Sequence, residues 1–356
     1  MKRCADAKQG GVALIMVIVM IAITSALLMS LADSTYISMR LNRAAERRVQ
    51  AEYIIKSAVH LAQALIKSDT TPNDVEAEDA WMAFNNGQEV PGALLGLSEP
   101  NLRITLLIRS ENSKIPLLSL VNSSGTADPV WRDILVALFR NLGFDNEQAQ
   151  AAEDDEPQEP PVSSEKMVAN LIDYLDADEQ SYSPNDGFPA QGYEENLGPN
   201  DKLRNEPLIE SLDQELRAIP GFTPERIERL RNFLSIHSRN RININGADAE
   251  VLKAMIRGLD PQADLSYAER LVGCRNPDQN GPYTQNINGD IIKCINDASV
   301  ASRLSPKLVA QGDSFYVLAK VEYGSGVSST SFLGRAHLKA TGGKGKLPMI
   351  ESLLVY

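Results

Sequence analysis

The sequence predicts an α+β protein in which a long N-terminal helix packs on a small antiparallel sheet, and the sheet is interrupted by a large all-helical insertion. Residues 12–32 are uncharged throughout, and neither Gly nor Pro occurs between 12 and 70, which permits one uninterrupted helix. Runs with strand character stand at 102–108, 314–322 and 331–339, on both sides of a long gap. The gap itself carries apolar residues at helical spacing, punctuated by Pro, Gly and capping residues.

Taken in order, residues 1–11 form a short basic leader in which Lys2, Arg3 and Lys8 stand against Asp6. The apolar stretch from Val12 can cross a hydrocarbon core of ~30 Å, and the basic end sets its orientation with the leader inside. Ile37, Leu41, Ala45 and Val49 continue an apolar stripe beyond the membrane, while Arg40, Arg43 and Arg47 lie on another face. The stem helix is therefore expected over 12–70, with a length of roughly 80 Å. Two helices broken near the membrane surface are the alternative.

Residues 71–124 and 306–356 are read as the two parts of one sheet domain, because neither set of strands makes a convincing sheet alone. Tyr323-Gly324-Ser325-Gly326 supplies turn material between the last two runs. The insertion spans 125–305. In it, Trp131, Ile134, Leu135, Leu138 and Leu142 share one face of a helix that Gly143 stops, and 164–175 is a second helix. Glu153-Asp154-Asp155-Glu156-Pro157 reads as a solvated linker between them, and further helices are expected at 208–218, 224–236, 247–257 and 264–273.

The chain of 356 residues has formal charge −12, and removing a leader with three basic residues and one acidic residue leaves −14. Nucleic acid is a poor partner for such a surface. Ile219-Pro220-Gly221-Phe222-Thr223-Pro224 resembles the turn of a helix-hairpin-helix, but Glu225 and Glu228 place negative charge where a phosphate would approach, so a packing role is the better reading. Thr223 can cap the following helix with Pro224 in its first turn.

Of three cysteines, Cys4 falls in the leader, leaving Cys274 and Cys294. A disulfide is the natural reading and suits an oxidising compartment; two reduced, separately packed thiols are the alternative. Asp173, Asp176 and Asp178, followed by Asn185, Asp186, Glu194, Glu195 and Asn205, form the densest group of oxygen donors. Calcium takes six to eight oxygens, but the spacing is not that of an EF-hand, and from chemistry alone a calcium site and a solvated acidic loop fit equally. His60, His237 and His337 stand apart in sequence and no zinc, nucleophile-elbow or dinucleotide motif occurs, so the chain is not expected to be an enzyme.

A small residue, Gly11, stands before the apolar stretch and not after it, so cleavage between Gly11 and Val12 would leave the anchor on the mature chain. This arrangement resembles the signal of type IV pilins and type II secretion pseudopilins, which implies cutting by prepilin peptidase on the cytoplasmic face and methylation of Val12. The fifth mature position, usually Glu in major pilins, is Met16. Gly11-Val12-Ala13-Leu14-Ile15 followed by a non-acidic residue is similar to the K-type minor pseudopilins of type II secretion. That family also has Asp-Trp-Ile-Asp-x-Asp-like, Gly-x-Glu and Asn-x-Pro-Leu elements. These correspond here to Asp173-Tyr174-Leu175-Asp176-Ala177-Asp178, Gly192-Tyr193-Glu194 and Asn205-Glu206-Pro207-Leu208, leading to Glu215-Leu216. Ile242-Asn243-Ile244-Asn245-Gly246-Ala247 matches a further family element before a helix, and Glu111 to Leu117 a degenerate one.

The resemblance implies a pilin-like fold, an inner-membrane single-pass chain with its bulk in the periplasm, and a place at the tip of the pseudopilus, nucleating or capping its assembly. It implies calcium held by Asp176, Asp178, Glu194 and Asn205. The implied partners are I-type and J-type minor pseudopilins, with an H-type subunit below them. A pilin-like envelope module that recognises a secreted substrate or surface component is the alternative.

Overall fold

In a computed structural model, the protein is described for residues 6–71, 73–74, 79–99, 101–146, 162–176, 180–193, 215–276, 278–279, 281–324, 329–341 and 345–356, with backbone only over 6–12. Residues 1–56 and 57–356 form two compact units. The described part of the first unit is helical: α1, Asp6–Ser68, runs through it without a break, and every residue from 13 to 50 is exposed, including the apolar stretch. This is the one described helix long and apolar enough to cross a membrane.

The second unit begins with the last turns of α1, where Ala58, Val59, Ala62 and Ile66 are buried. Gln63 donates from Nε2 to the Pro348 carbonyl at 2.6 Å, which fixes this end of the helix beside the start of the last strand. The sheet contains β1, Gln88–Glu89, and β2, Leu102–Ser110, from the first half of the unit. Ile104, Leu106 and Ile108 alternate to the buried face, the period-2 pattern of a strand covered on one side.

The chain then leaves the sheet. Ile115–Pro116 is β3, α2 covers Pro129–Asn141 and α3 covers Ser164–Leu175. Asp128 caps α2 by accepting from the Val130 and Trp131 amides, and Ser163 caps α3 through the Lys166 amide. Pro224–Leu230 forms α4, capped by Thr223, and Leu234–Ser235 and Ile242–Asn243 are the short strands β4 and β5. Ala249–Leu259 is α5, Ser266–Gly273 is α6, Ile287–Ile295 is α7 and Ala298–Leu304 is α8. After β6, Leu308–Val309, the chain re-enters the sheet as β7, Ser314–Tyr323, and closes it with β8, Thr330–Lys339, and β9, Met349–Val355.

The five-stranded order is β1-β2-β7-β8-β9, antiparallel throughout. Leu102 pairs with Tyr323 and Ser110 with Phe315, so two strands separated by the whole insertion are immediate neighbours. A buried side chain, Asn112, clasps the two necks of the insertion. Its Nδ2 donates to Asp313 Oδ1 at 3.0 Å, and its Oδ1 accepts from the Asp313 and Ser314 amides at 2.9 and 2.8 Å.

Among its described residues, the insertion has strands only at its base. There β3 pairs with β4 and β5 with β6, each in parallel over two residues. The helix expected at 224–236 accordingly ends at Leu230, because Leu234 and Ser235 are taken up by Ile115 and Pro116. The helix expected at 208–218 and the acidic linker at 153–157 lie outside the described residues, apart from 215–218, of which only Glu215 and Leu216 are helical. Helix α7 forms in the stretch that leads into the second cysteine, and Cys274 is joined to Cys294, on α7, by a disulfide. A single core runs through the insertion, with Trp131, Ile134, Leu135 and Leu138 of α2 packed among Met167, Leu171, Leu252 and Met255.

His237 and His337, far apart in sequence, stack in the structure with ring centroids 3.4 Å apart. Burial lowers both, His237 to about 4 and His337 to about 3, so neither carries a proton near neutrality. They close the gap between the insertion neck and β8 as neutral packing partners.

Candidate functional site

The acidic group expected to hold an ion starts at the C-terminal end of α3. The amphipathic spacing of Met167, Val168, Leu171, Ile172 and Leu175 buries one face of this helix, and Asp173 and Asp176 are carried inward with it. Asp173 is 1% exposed and Asp176 5%. Buried carboxylates in the last turn face the negative end of the helix dipole, which disfavours them unless positive charge or donors are supplied.

Donors come from a loop that folds back on the helix. Asp173 Oδ1 accepts from the Tyr182 amide at 2.6 Å, and the Gly192 amide donates to the Tyr182 carbonyl at 2.9 Å. Lys166 reaches the Gln191 and Gly192 carbonyls at 2.5 and 3.1 Å. A Cβ on Gly192 would stand 1.8 Å from Asp173 Oδ2, so only glycine lets this backbone close over the carboxylate. The glycine of the Gly-x-Glu element thus has a steric reason. Tyr174, on α3, donates its hydroxyl to Glu215 and ties in the segment that follows.

Asp186, one of the oxygen donors of this stretch, is engaged by an arginine. Its Oδ2 accepts from Arg132 Nη1 at 2.5 Å, and Arg132 also holds Asp133 at 2.8 Å and the Tyr182 hydroxyl at 3.0 Å. Burial opposes the charge on Arg132, but these hydrogen bonds outweigh it and raise its pKa, and the Arg132 hydrogen bond lowers that of Asp186. Of the expected ligands, Asp176 is buried three positions after Asp173, while Asp178, Glu194 and Asn205 lie outside the described residues. A donor set made only of oxygens, with carboxylates sunk at a helix end, suits a hard cation such as calcium and not a zinc-type ion.

The other expected positions are simply placed. Gly11 and Val12 lie within α1, and the Met16 side chain is exposed on the same helix. Asn245, in the element before α5, donates to the Tyr283 and Ala310 carbonyls, and α5 is capped by Asp248, which accepts from the Glu250 amide at 2.9 Å.

The family described as type II secretion system (T2SS), protein K, matches residues 113–239, the first half of the insertion and its neck. No curated protein matches the chain. Among solved structures, a chain of the GspK-GspI-GspJ complex from the type 2 secretion system of enterotoxigenic Escherichia coli has a similar fold. The match has a TM-score of 0.59 and 14% identity, and it covers 88% of this chain and 99% of that one.

Proposed function

We propose that this chain, a minor pseudopilin of the protein K family of type II secretion, stands at the periplasmic tip of the pseudopilus and nucleates or caps its assembly. The observation that carries the tip position is where the insertion leaves the sheet. It departs after Ser110 and returns before Phe315, which are register partners at one end of the β2–β7 pair. A fibre built from identical subunits would have to fit that whole domain between neighbours at every step, whereas an end position meets it once. Met16 adds to this reading, since a subunit without a carboxylate in its anchor brings no buried charge that a neighbour must neutralise.

The role is structural and not enzymatic, with the anchor in the inner membrane and the remainder in the periplasm. The disulfide suits that compartment. The solved relative was crystallised with GspI and GspJ, so I-type and J-type subunits are the expected neighbours here, with an H-type subunit below them. Co-expression of full-length chains in membranes should recover this subunit with its I-type and J-type companions through purification in detergent. Recovery of this chain alone, with the companions present and folded, would exclude the tip complex. Capture of a secreted protein in place of the companions would favour an envelope module that recognises substrate.

Calcium belongs to this reading as a structural ion of the insertion, with Asp176, Asp178, Glu194 and Asn205 as its ligands and Gly192 shaping the loop. When bound, it supplies the positive charge that buried carboxylates at the end of α3 call for. An ion bound by the folded form alone adds about 2.7 kcal/mol at a hundred times its dissociation constant. Calcium should therefore raise the melting temperature of the full chain, and Asp176→Asn should reduce that rise. An equal rise in both proteins would take Asp176 out of the ligand set.

A further inference from the structure

Beyond the end of α1, three aspartates spaced five apart, Asp69, Asp74 and Asp79, come together although nothing in their spacing marks them as a motif. Each offers a carboxylate oxygen within 4.8 Å of the others. Asp74 and Asp79 are each 2% exposed, and Asp69 is nearly as buried. The Thr71 hydroxyl sits among them, 3.0 Å from Asp69 Oδ1, 2.9 Å from Asp79 Oδ1 and 2.7 Å from the Asn73 carbonyl. A hydroxyl has one proton to give, so it meets one of these oxygens and faces the others lone pair to lone pair.

Asp74 supplies the observation that points to a ligand. Its Oδ2 accepts from the Gly312 amide at 3.0 Å and from Asn243 Nδ2, but no donor among the described residues reaches its Oδ1, which is sealed from solvent. A buried carboxylate oxygen left without a partner is costly. Burial first, and then the like charges of Asp69 and Asp79, push the Asp74 carboxyl up to about 7.

We infer that Asp69, Asp74 and Asp79 form a divalent-cation site of the calcium class, separate from the loop at the end of α3, with the Thr71 hydroxyl and the Asn73 carbonyl available to its shell. Ligand oxygens on opposite sides of a calcium ion at ~2.4 Å are about 4.8 Å apart, so the three carboxylates fit one coordination sphere. The absence of nitrogen and sulfur donors from the set disfavours zinc, copper and nickel. A cation here fastens three segments: the loop that follows α1, the insertion neck through Asn243, and the entry to β7 through Gly312.

Trp81 provides a local reporter, because its Nε1 donates to Asp69 Oδ2 at 3.3 Å. The test uses the full chain in detergent, with calcium stoichiometry by equilibrium dialysis and terbium luminescence excited through tryptophan. Asp79→Asn should bind about one calcium fewer per chain than the parent, and Asp176→Asn should leave that ion in place, which separates this site from the insertion loop. Trp81→Phe should keep the parent calcium stoichiometry and lose the greater part of the sensitised terbium emission. Parent stoichiometry in Asp79→Asn, or terbium emission unchanged by Trp81→Phe, overturns the inference. If Asp79→Asn does not fold, the Trp81→Phe emission decides it.

Discussion

Gly258→Ala is expected to destabilise the insertion by about 2 kcal/mol, against the direction that helix propensity alone would give. Gly258 lies in the last turn of α5, where alanine is intrinsically favoured by about 1 kcal/mol. A Cβ at this position, however, would stand 2.6 Å from both the Cα and the N of Ile134 in α2, and 2.8 Å from its Cγ1. Backbone atoms cannot rotate out of the way, so α2 and α5 must separate, and each interdigitated contact of Ile134, Leu252 and Met255 weakens as they do. Denaturant unfolding reads this directly: in a Trp81→Phe background the buried Trp131 of α2 is the remaining tryptophan and reports the insertion. Arg257→Ala, one residue away on the exposed side of α5, should leave the midpoint unchanged. A rise in midpoint for Gly258→Ala would mean that the two helices relax freely, and the close approach would then have no energetic weight.

The parts of the fold that could be read in the sequence were those whose signal is local and repeated. Asp128-Pro129 before the Trp131, Ile134, Leu135 and Leu138 face marks α2 with a cap and a period. The alternation from Phe315 to Tyr323 marks β7 in the same way. That β2 and β7 share a sheet followed from the need of each for a partner, and the register of Leu102 with Tyr323 bears it out. Elements defined by long-range pairing stayed hidden. Leu234 and Ser235 look like the end of a helix until Ile115 and Pro116 claim them. β9 has no clean alternation, joins β8 through an irregularity at His337 and Leu338, and forms the edge of the sheet, where one-sided burial leaves a weak pattern. Helix α7 contains Asn288-Gly289-Asp290, turn residues by composition, and depends on Ile287, Ile291 and Ile295 being buried.

The site divides along the same line. Gly192 could be singled out by a motif, but the reason for it, a carboxylate 1.8 Å from where its Cβ would be, exists only in three dimensions. Asp186 belongs by sequence to the same dense group of oxygen donors, and it is Arg132, fifty-four positions away, that holds it. Asp69, Asp74 and Asp79 stand in an acidic, largely polar stretch that suggests a solvated loop, and the burial of Asp74 against Asn243 and Gly312 could not be foreseen from residues 69–79 alone.

Gly11→Val is expected to leave the leader on the chain and to abolish secretion. α1 runs from Asp6 through Gly10 and Gly11 into the apolar stretch as one helix, and a peptidase needs its scissile bond extended. Two adjacent glycines each weaken a helix by about 1 kcal/mol relative to alanine, so Gly10-Gly11 is where this helix opens most readily and where the backbone can be approached most closely. Valine at position 11 removes both advantages at the bond. An uncut chain keeps Lys2, Arg3 and Lys8 in front of the anchor. Drawing a lysine or arginine into the hydrocarbon centre costs about 3 kcal/mol, so three hold the subunit in the membrane by about 9 kcal/mol when assembly would lift it toward the periplasm. Intact-mass analysis of the parent should give a chain that begins at methylated Val12. Gly11→Val should retain residues 1–11, insert normally and fail to support secretion. A mature chain that begins after residue 32 would instead identify an ordinary secretory signal, and a Gly11→Val chain cut at the same bond would remove the glycine from the recognition step.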